Sequence, residues 1–191
     1  MLLVLASASP SRKKILESAG VNPVIAPADV NEDAIIKEFG ATPPVVEKLA
    51  QAKAEAVSFP HDVVVGCDSM LLLDGQLQGK PHTVENTIER WKQQRGKSAE
   101  LLTGHYIIAP GGTFAGTART VVNFGSPSDK DIEAYARSGE PLKCAGAFTL
   151  EAMGGWFIDS IEGDPSSVIG LSLPLLRKAL YSFGLSVSDF W

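Results

Sequence analysis

Val63-Val64-Val65-Gly66-Cys67-Asp68-Ser69-Met70-Leu71-Leu72-Leu73 is the stretch on which the fold turns. Its valines form a continuous apolar run of β-branched residues and read as a buried strand. Gly66-Cys67-Asp68-Ser69 ends that strand, and Met70 to Leu73 with Asp74-Gly75 suggests a second strand entering a hairpin turn. Asp68 therefore interrupts a buried strand. A carboxylate is expensive to bury there unless it is paired or holds a metal, and the plainer alternative is a turn aspartate capping local N–H groups.

Upstream, Leu2 to Ala6 is a second apolar strand, followed by the polar loop Ser7-Ala8-Ser9-Pro10 and a helix carrying Ile15, Leu16 and Ala19 until Gly20 stops it. Val21 to Ala26 reads as another strand and Pro27 to Asp33 as an acidic loop. Pro43 and Pro44 suit the first turn of a helix that keeps Val45, Val46, Leu49, Ala52, Ala56 and Val57 near helical spacing as far as Phe59-Pro60, with Lys53 on it. Downstream of Gly79-Lys80-Pro81 come a helix over 84–94 and strands over 100–109 and 113–123, joined by Pro110-Gly111-Gly112. Ser128 opens a helix to Arg137, with Asp131 completing a loose capping box. A glycine-rich loop over 144–155, a strand over 156–161, a turn over 162–165 and an amphipathic helix over 173–183 follow. Alternating strands and helices predict an α/β chain whose mixed, twisted sheet is flanked by helices, one domain over 1–191.

At 191 residues with 45% apolar content, folding buries roughly 70% of the unfolded chain's surface, so the core needs no staples. Seventeen basic against 22 acidic residues, a net charge of −5, argue against a nucleic-acid polymer or membrane surface as partner. Sparse cysteine use, Cys67 and Cys144 alone, reads as reduced thiols and a cytoplasmic location. The N-terminal run is too short, and lacks the basic start, for a signal peptide, and no stretch is long enough to span a bilayer.

Common chemical motifs are missing. Gly75 to Lys80 is one residue short of a phosphate-binding Walker loop, Trp91 stands where a glycine would precede Gly96-Lys97-Ser98, and His61, His82 and His105 have no metal-ligand spacing. What remains is Ser7-Ala8-Ser9-Pro10-Ser11-Arg12-Lys13, hydroxyls and cations at a helix N-terminus, where exposed N–H groups and the helix dipole suit an anion. Plain helix capping by the serines is the competing reading. Lys53, Lys80 and Glu32 would each, taken singly, be ordinary solvated residues.

Together these pieces resemble the Maf family of nucleotide pyrophosphatases over essentially the whole chain. The matching stretches are Leu5-Ala6-Ser7-x-Ser9-Pro10-x-Arg12-Lys13-x-x-Leu16, Val30-Asn31-Glu32, Lys53 in Leu49 to Ala54, Gly66 to Ser69, Gly79-Lys80-Pro81, Thr103-Gly104, Ala145 to Phe148 and Val168 to Leu175, all in family order. The resemblance implies two lobes around a central cleft, similar to inosine triphosphatase-like enzymes, and hydrolysis of a nucleoside triphosphate between the α and β phosphates with a divalent metal, magnesium or manganese. It implies Ser7, Ser9, Arg12, Lys13, Lys53 and Lys80 on the phosphates, Glu32 and Asp68 on the metal, and Asp68 as the base. The alternative class is a non-hydrolysing nucleotide-binding regulator of cell division, which the same basic loop would serve.

Positions tied to specificity in this family fall on Ser11, Ser69 and Glu151. The chain departs from the commoner pattern at Ser11, Asn31, Cys144 and Glu151, and Cys144-Ala145-Gly146 with Glu151 looks like the branch acting on 7-methylguanosine triphosphate. An ionised carboxylate only accepts hydrogen bonds, so Glu151 suits the N1–H and amine of a guanine edge and favours a cationic base, whereas thymine and uracil present carbonyls. Phe190 and Trp191 offer either a homodimer contact or packing on the terminal helix.

Overall fold

The computed structural model describes residues 1–191. The apolar segment at its centre forms one strand, β3 (Val63–Leu73), running unbroken through Asp68. The expected division into two strands fails because Lys53 meets the buried charge of Asp68, so the backbone ladder need not stop. β5 (Ser98–Ala109) pairs antiparallel with it from Val64↔Ile108 to Leu72↔Glu100, including Asp68↔Gly104. β6 (Gly112–Phe124) returns along β5 and pairs at its far edge with β7 (Ile158–Glu162). On the opposite side β1 (Leu3–Leu5) lies parallel to β3, with β2 (Val24–Ile25) beyond it. β4 (Gln76–Gln78) folds back on the end of β3, completing a seven-stranded sheet in the order β2-β1-β3-β5-β6-β7 with β4 off that path. The mixed α/β class expected from the sequence is the class found.

β3 has a gap on one edge. β1 pairs with it only as far as Val65 and β4 only from Leu71, so Gly66 to Met70 have no strand beside them on that side. The helices are arranged around this gap. α1 (Pro10–Ser18) follows β1, with Ser9 as N-cap accepting the Arg12 N–H. α2 (Glu32–Phe39) begins inside the segment expected to be an acidic loop: Asn31 caps it, and Glu32 and Asp33 occupy the first turn, where the helix dipole favours negative charge.

α3 (Val45–Glu55) lies across one face of β3 and β5. Gly66 and Gly104 permit that contact, because a Cβ at Gly66 would fall on the α3 backbone at Ala50 and Ala54, and one at Gly104 on that of Val46 and Glu47. On the other face two cores form. The first joins β1, α1, α7 (Leu173–Ser182) and the start of β3 through Leu3, Leu5, Leu16, Val65, Cys67, Leu171 and Leu180. The second joins the end of β3 to α4 (Val84–Gln94) and α5 (Asp129–Arg137) around buried Trp91, which meets Phe124, Tyr135 and Phe157 edge to face at centroid distances of 5.5, 5.9 and 5.6 Å.

Between the cores the inward face turns polar. Along β3 it reads Val63, Val65, Cys67, then Ser69, then Leu71 and Leu73, and opposite Ser69 stands Thr103. The glycine-rich loop folds as short 3-10 turns, and a short helix not expected from the sequence, α6 (Pro165–Ile169), is capped by Asp164. Phe190 packs on the first core, while Trp191 lies against Gly20 with most of its surface exposed. No helix is long and apolar enough to cross a membrane.

Candidate active site

The gap beside β3 opens into a cleft of about 750 Å³. Its lower wall is the loop from the end of β1 into α1, bringing Ser7, Ser9, Ser11 and Arg12. Its floor is Asp68 and Ser69, which project to opposite faces of β3 yet both reach the cleft because no strand covers that edge. Lys53 enters from α3 and Glu32 from α2, and Lys80 follows β4. The upper lip is made by Glu140, Lys143, Cys144, Phe148, Thr149 and Glu151. A crevice outside the carboxyl end of a parallel strand, where a neighbouring strand is absent, is where open α/β sheets commonly hold ligands.

At the floor, Lys53 Nζ donates to Asp68 Oδ1 at 2.5 Å and to Glu32 Oε1 at 2.8 Å. Lys53 and Asp68 side chains are each 9% exposed and Glu32 is 40% exposed, so the cluster sits between core and cleft. Burial alone would raise the Glu32 pKa, but the Lys53 hydrogen bond and the charges of Lys53, Lys80 and Arg12 outweigh it and hold the carboxyl below its ordinary value. Asp68 Oδ2 receives no hydrogen bond from the protein.

Arg12 is held without a carboxylate. Its Nε donates to the Gly170 carbonyl at 2.8 Å, Nη1 to Ser7 Oγ at 3.2 Å and Nη2 to Ser69 Oγ at 3.3 Å. Thr103 donates to the Ser167 carbonyl at 2.8 Å, so it accepts the Ser69 hydroxyl, 2.9 Å away, and leaves a Ser69 lone pair for Arg12. The guanidinium is thus oriented while its charge stays uncompensated. Lys80 and Lys143 likewise make no ion pair. At the other end, Ser11 Oγ donates to Glu151 Oε1 at 3.0 Å across the cleft mouth.

The cleft therefore brings together Ser7, Ser9, Ser11, Arg12, Glu32, Lys53, Asp68, Ser69, Lys80 and Glu151. Lys13 is the exception: it lies on the outer face of α1, paired with Glu17 at 3.3 Å, and does not line the cleft. An i,i+4 acidic partner was visible in the sequence and explains its direction. Lys143 and Glu140 line the cleft without having been expected there. Both cysteines are free, and burial raises their thiols, Cys67 and Cys144 each to about 11, which leaves Cys144 an inert neighbour in the cleft.

The chain is similar to known proteins along nearly its whole length. The family model described as Maf-like protein matches residues 2–183. A protein of Corynebacterium diphtheriae named nucleoside triphosphate pyrophosphatase is 66% identical over 195 residues, covering 100% of this chain and 98% of its own. Proteins of the same name from Corynebacterium glutamicum strain R and Nocardia farcinica are 63% and 52% identical, covering 100% and 99% of this chain and 99% and 96% of their own. On a family match that spans residues 2–183 and every element around the cleft, the chain belongs to the Maf-like family.

Proposed function

We propose that this protein hydrolyses nucleoside triphosphates between the α and β phosphates, releasing a nucleoside monophosphate and pyrophosphate, with 7-methylguanosine triphosphate preferred over pyrimidine nucleotides. The observation that carries the reading is the Glu32–Lys53–Asp68 cluster beside uncompensated Arg12 and Lys80. A polyanion is matched by the cations, and a carboxylate stands next to where it would bind. Lys53 meets only Asp68 Oδ1, and the acceptor left on Oδ2 serves a hydrolase, which has a water to deprotonate, better than a simple binder. The relatives' shared name supports the same reaction.

In this mechanism Lys53 fixes Asp68 through Oδ1 and leaves Oδ2 to orient a water and accept its proton as that water attacks the α phosphorus. Arg12 and Lys80 bind the phosphates and offset the charge that gathers on the leaving pyrophosphate. Ser7 and Ser9 supply hydroxyls and α1 supplies N–H groups at the same end. Glu32 and Asp68 also fit a hard divalent cation: their oxygens already share one ammonium, and magnesium or manganese needs only one or two carboxylates when substrate phosphates complete its shell. When bound there, such a cation would neutralise phosphate charge and acidify a coordinated water. No cluster of three or more acidic, histidine or cysteine side chains supplies a complete protein cage.

Glu151 faces the base in this reading. Ser11 occupies one lone pair of Oε1, and the remaining acceptors would suit the N1–H and amine donors of a guanine edge. The test is pyrophosphate release from a panel of 7-methylguanosine, guanosine, thymidine, uridine and cytidine triphosphates with magnesium or manganese, with and without chelator. Asp68→Asn should lose roughly 10² to 10⁴ in kcat while still binding nucleotide. Near-parental turnover by that variant refutes its role as base, activity untouched by chelation removes the metal, and release from no nucleotide points to a non-hydrolysing binder. Preference for thymidine triphosphate over 7-methylguanosine triphosphate overturns the base assignment.

A further inference from the structure

The lip carrying Glu151 is folded around another carboxylate, Glu140. Its Oε1 accepts the Thr149 hydroxyl at 2.5 Å, the Gly154 N–H at 3.1 Å and the Tyr135 hydroxyl at 3.1 Å, and its Oε2 accepts the Met153 N–H at 3.2 Å. These donors flank Glu151 on both sides in sequence. Tyr135, buried in the second core, also accepts the Thr149 N–H at 3.2 Å, so the ring of bonds is anchored to α5. Closure is tight: a Cβ on Gly154 would collide with the Thr149 backbone and the Tyr135 hydroxyl.

Within the segment the Gly154 N–H also reaches Thr149 Oγ1 at 3.2 Å and Leu150 packs on the second core, but Glu140 alone ties residues 149, 153 and 154 to one side chain. Trp91 Nε1 and Gln94 Nε2 hold the carbonyls of Ala147 and Gly146 at 2.7 and 3.1 Å, which secures the lip before residue 148 and not after it. Glu151 itself has only the single contact to Ser11. We infer that Glu140 is the positioning residue for base selection: its carboxylate gathers the 149–154 segment and so sets where Glu151 presents its acceptors. This rests on the reading of Glu151 as the base-facing residue.

Glutamine at position 140 would keep the shape but turn one acceptor oxygen into a donor facing the Met153 or Gly154 N–H. Glu140→Gln is therefore expected to lower the kcat/KM ratio of 7-methylguanosine triphosphate over uridine triphosphate by about tenfold or more, with the loss on the guanine nucleotide falling on KM rather than kcat. In a Glu151→Gln background the same change should leave the ratio unaltered. Amide hydrogen exchange at 149–154 should speed up in Glu140→Gln while that of α3 and β3 stays as in wild type. Should Glu140→Gln fail to fold, Thr149→Val removes the hydroxyl that donates to Glu140 and accepts the Gly154 N–H at 3.2 Å, and gives the same signs at smaller amplitude.

A selectivity ratio within twofold of wild type overturns the inference, as does an effect that persists in the Glu151→Gln background, which would make Glu140 a direct base contact. Unchanged exchange at 149–154 refutes the hold exerted by Glu140 alone. A wild-type enzyme without base preference instead refutes the reading of Glu151, and the exchange result then stands separately.

Discussion

Acidification should loosen this protein through His105, which is fully buried on β5. Nε2 accepts the Ser172 N–H at 2.8 Å, so the ring proton sits on Nδ1 and is donated to the Thr103 carbonyl at 2.9 Å. Burial first, and the Arg12 charge second, push its pKa from 6.5 down to about 4, against a smaller opposing pull from the Thr103 carbonyl. Between those values the unfolded chain binds the proton and the folded chain does not. The neutral ring's contribution is therefore complete above pH 6.5 and disappears as the pH falls toward 4. By linkage the loss is about 2 kcal/mol at pH 5 and about 3 kcal/mol at pH 4, a large share of a typical domain's stability. Denaturant unfolding of wild type and His105→Gln across pH 4 to 7 isolates the effect, since every other group titrates in both. The gap between the two curves should narrow by about 2 kcal/mol from pH 7 to pH 5. A constant gap would show that the ring is not held neutral by this environment.

Gly104→Ala would place a methyl group in the α3 backbone at Val46 and Glu47, and is expected to cost more than about 3 kcal/mol in denaturant unfolding or to prevent folding; a loss under about 1 kcal/mol would mean that α3 is not seated as described. Lys53→Met leaves Asp68 and Glu32 facing each other without their ammonium, so unfolding should be easier by about 3 kcal/mol. Millimolar magnesium should then raise the variant's Tm more than that of wild type, and equal responses would argue against the two carboxylates sharing a cation.

Much of the fold was legible because its signals are local. The helix over 84–94 and the hairpin joined at Pro110-Gly111-Gly112 lie within a few residues of their expected limits, since periodicity and turn residues decide them. α2 was missed although Asn31 and the acidic first turn announce it, because its segment has no buried residue to produce an apolar stripe. The continuity of β3 was missed for a different reason. Whether an aspartate breaks a strand depends on its partner, and Lys53 belongs to another element.

The same division runs through the cleft. Ser7 to Arg12 could be read as an anion site from one loop, because helix N-terminus, hydroxyls and cation are adjacent in the chain. Lys13 sits beside them in sequence and outside in space, since the helix turns it toward Glu17. Glu140 and Lys143 had no motif to mark them, and their place follows from how α5 and the 3-10 turns close over the gap in β3. That gap is itself a product of lengths: β1 stops at Leu5 and β4, running antiparallel, ends at Gln78 opposite Leu71, so the register of each on β3 leaves Gly66 to Met70 bare. An extra residue pair on β1 would extend pairing toward Asp68 and bury the edge from which the carboxylate meets the cleft. The short first strand, unremarkable by composition, thus opens the edge through which the buried Asp68 side chain reaches the cleft.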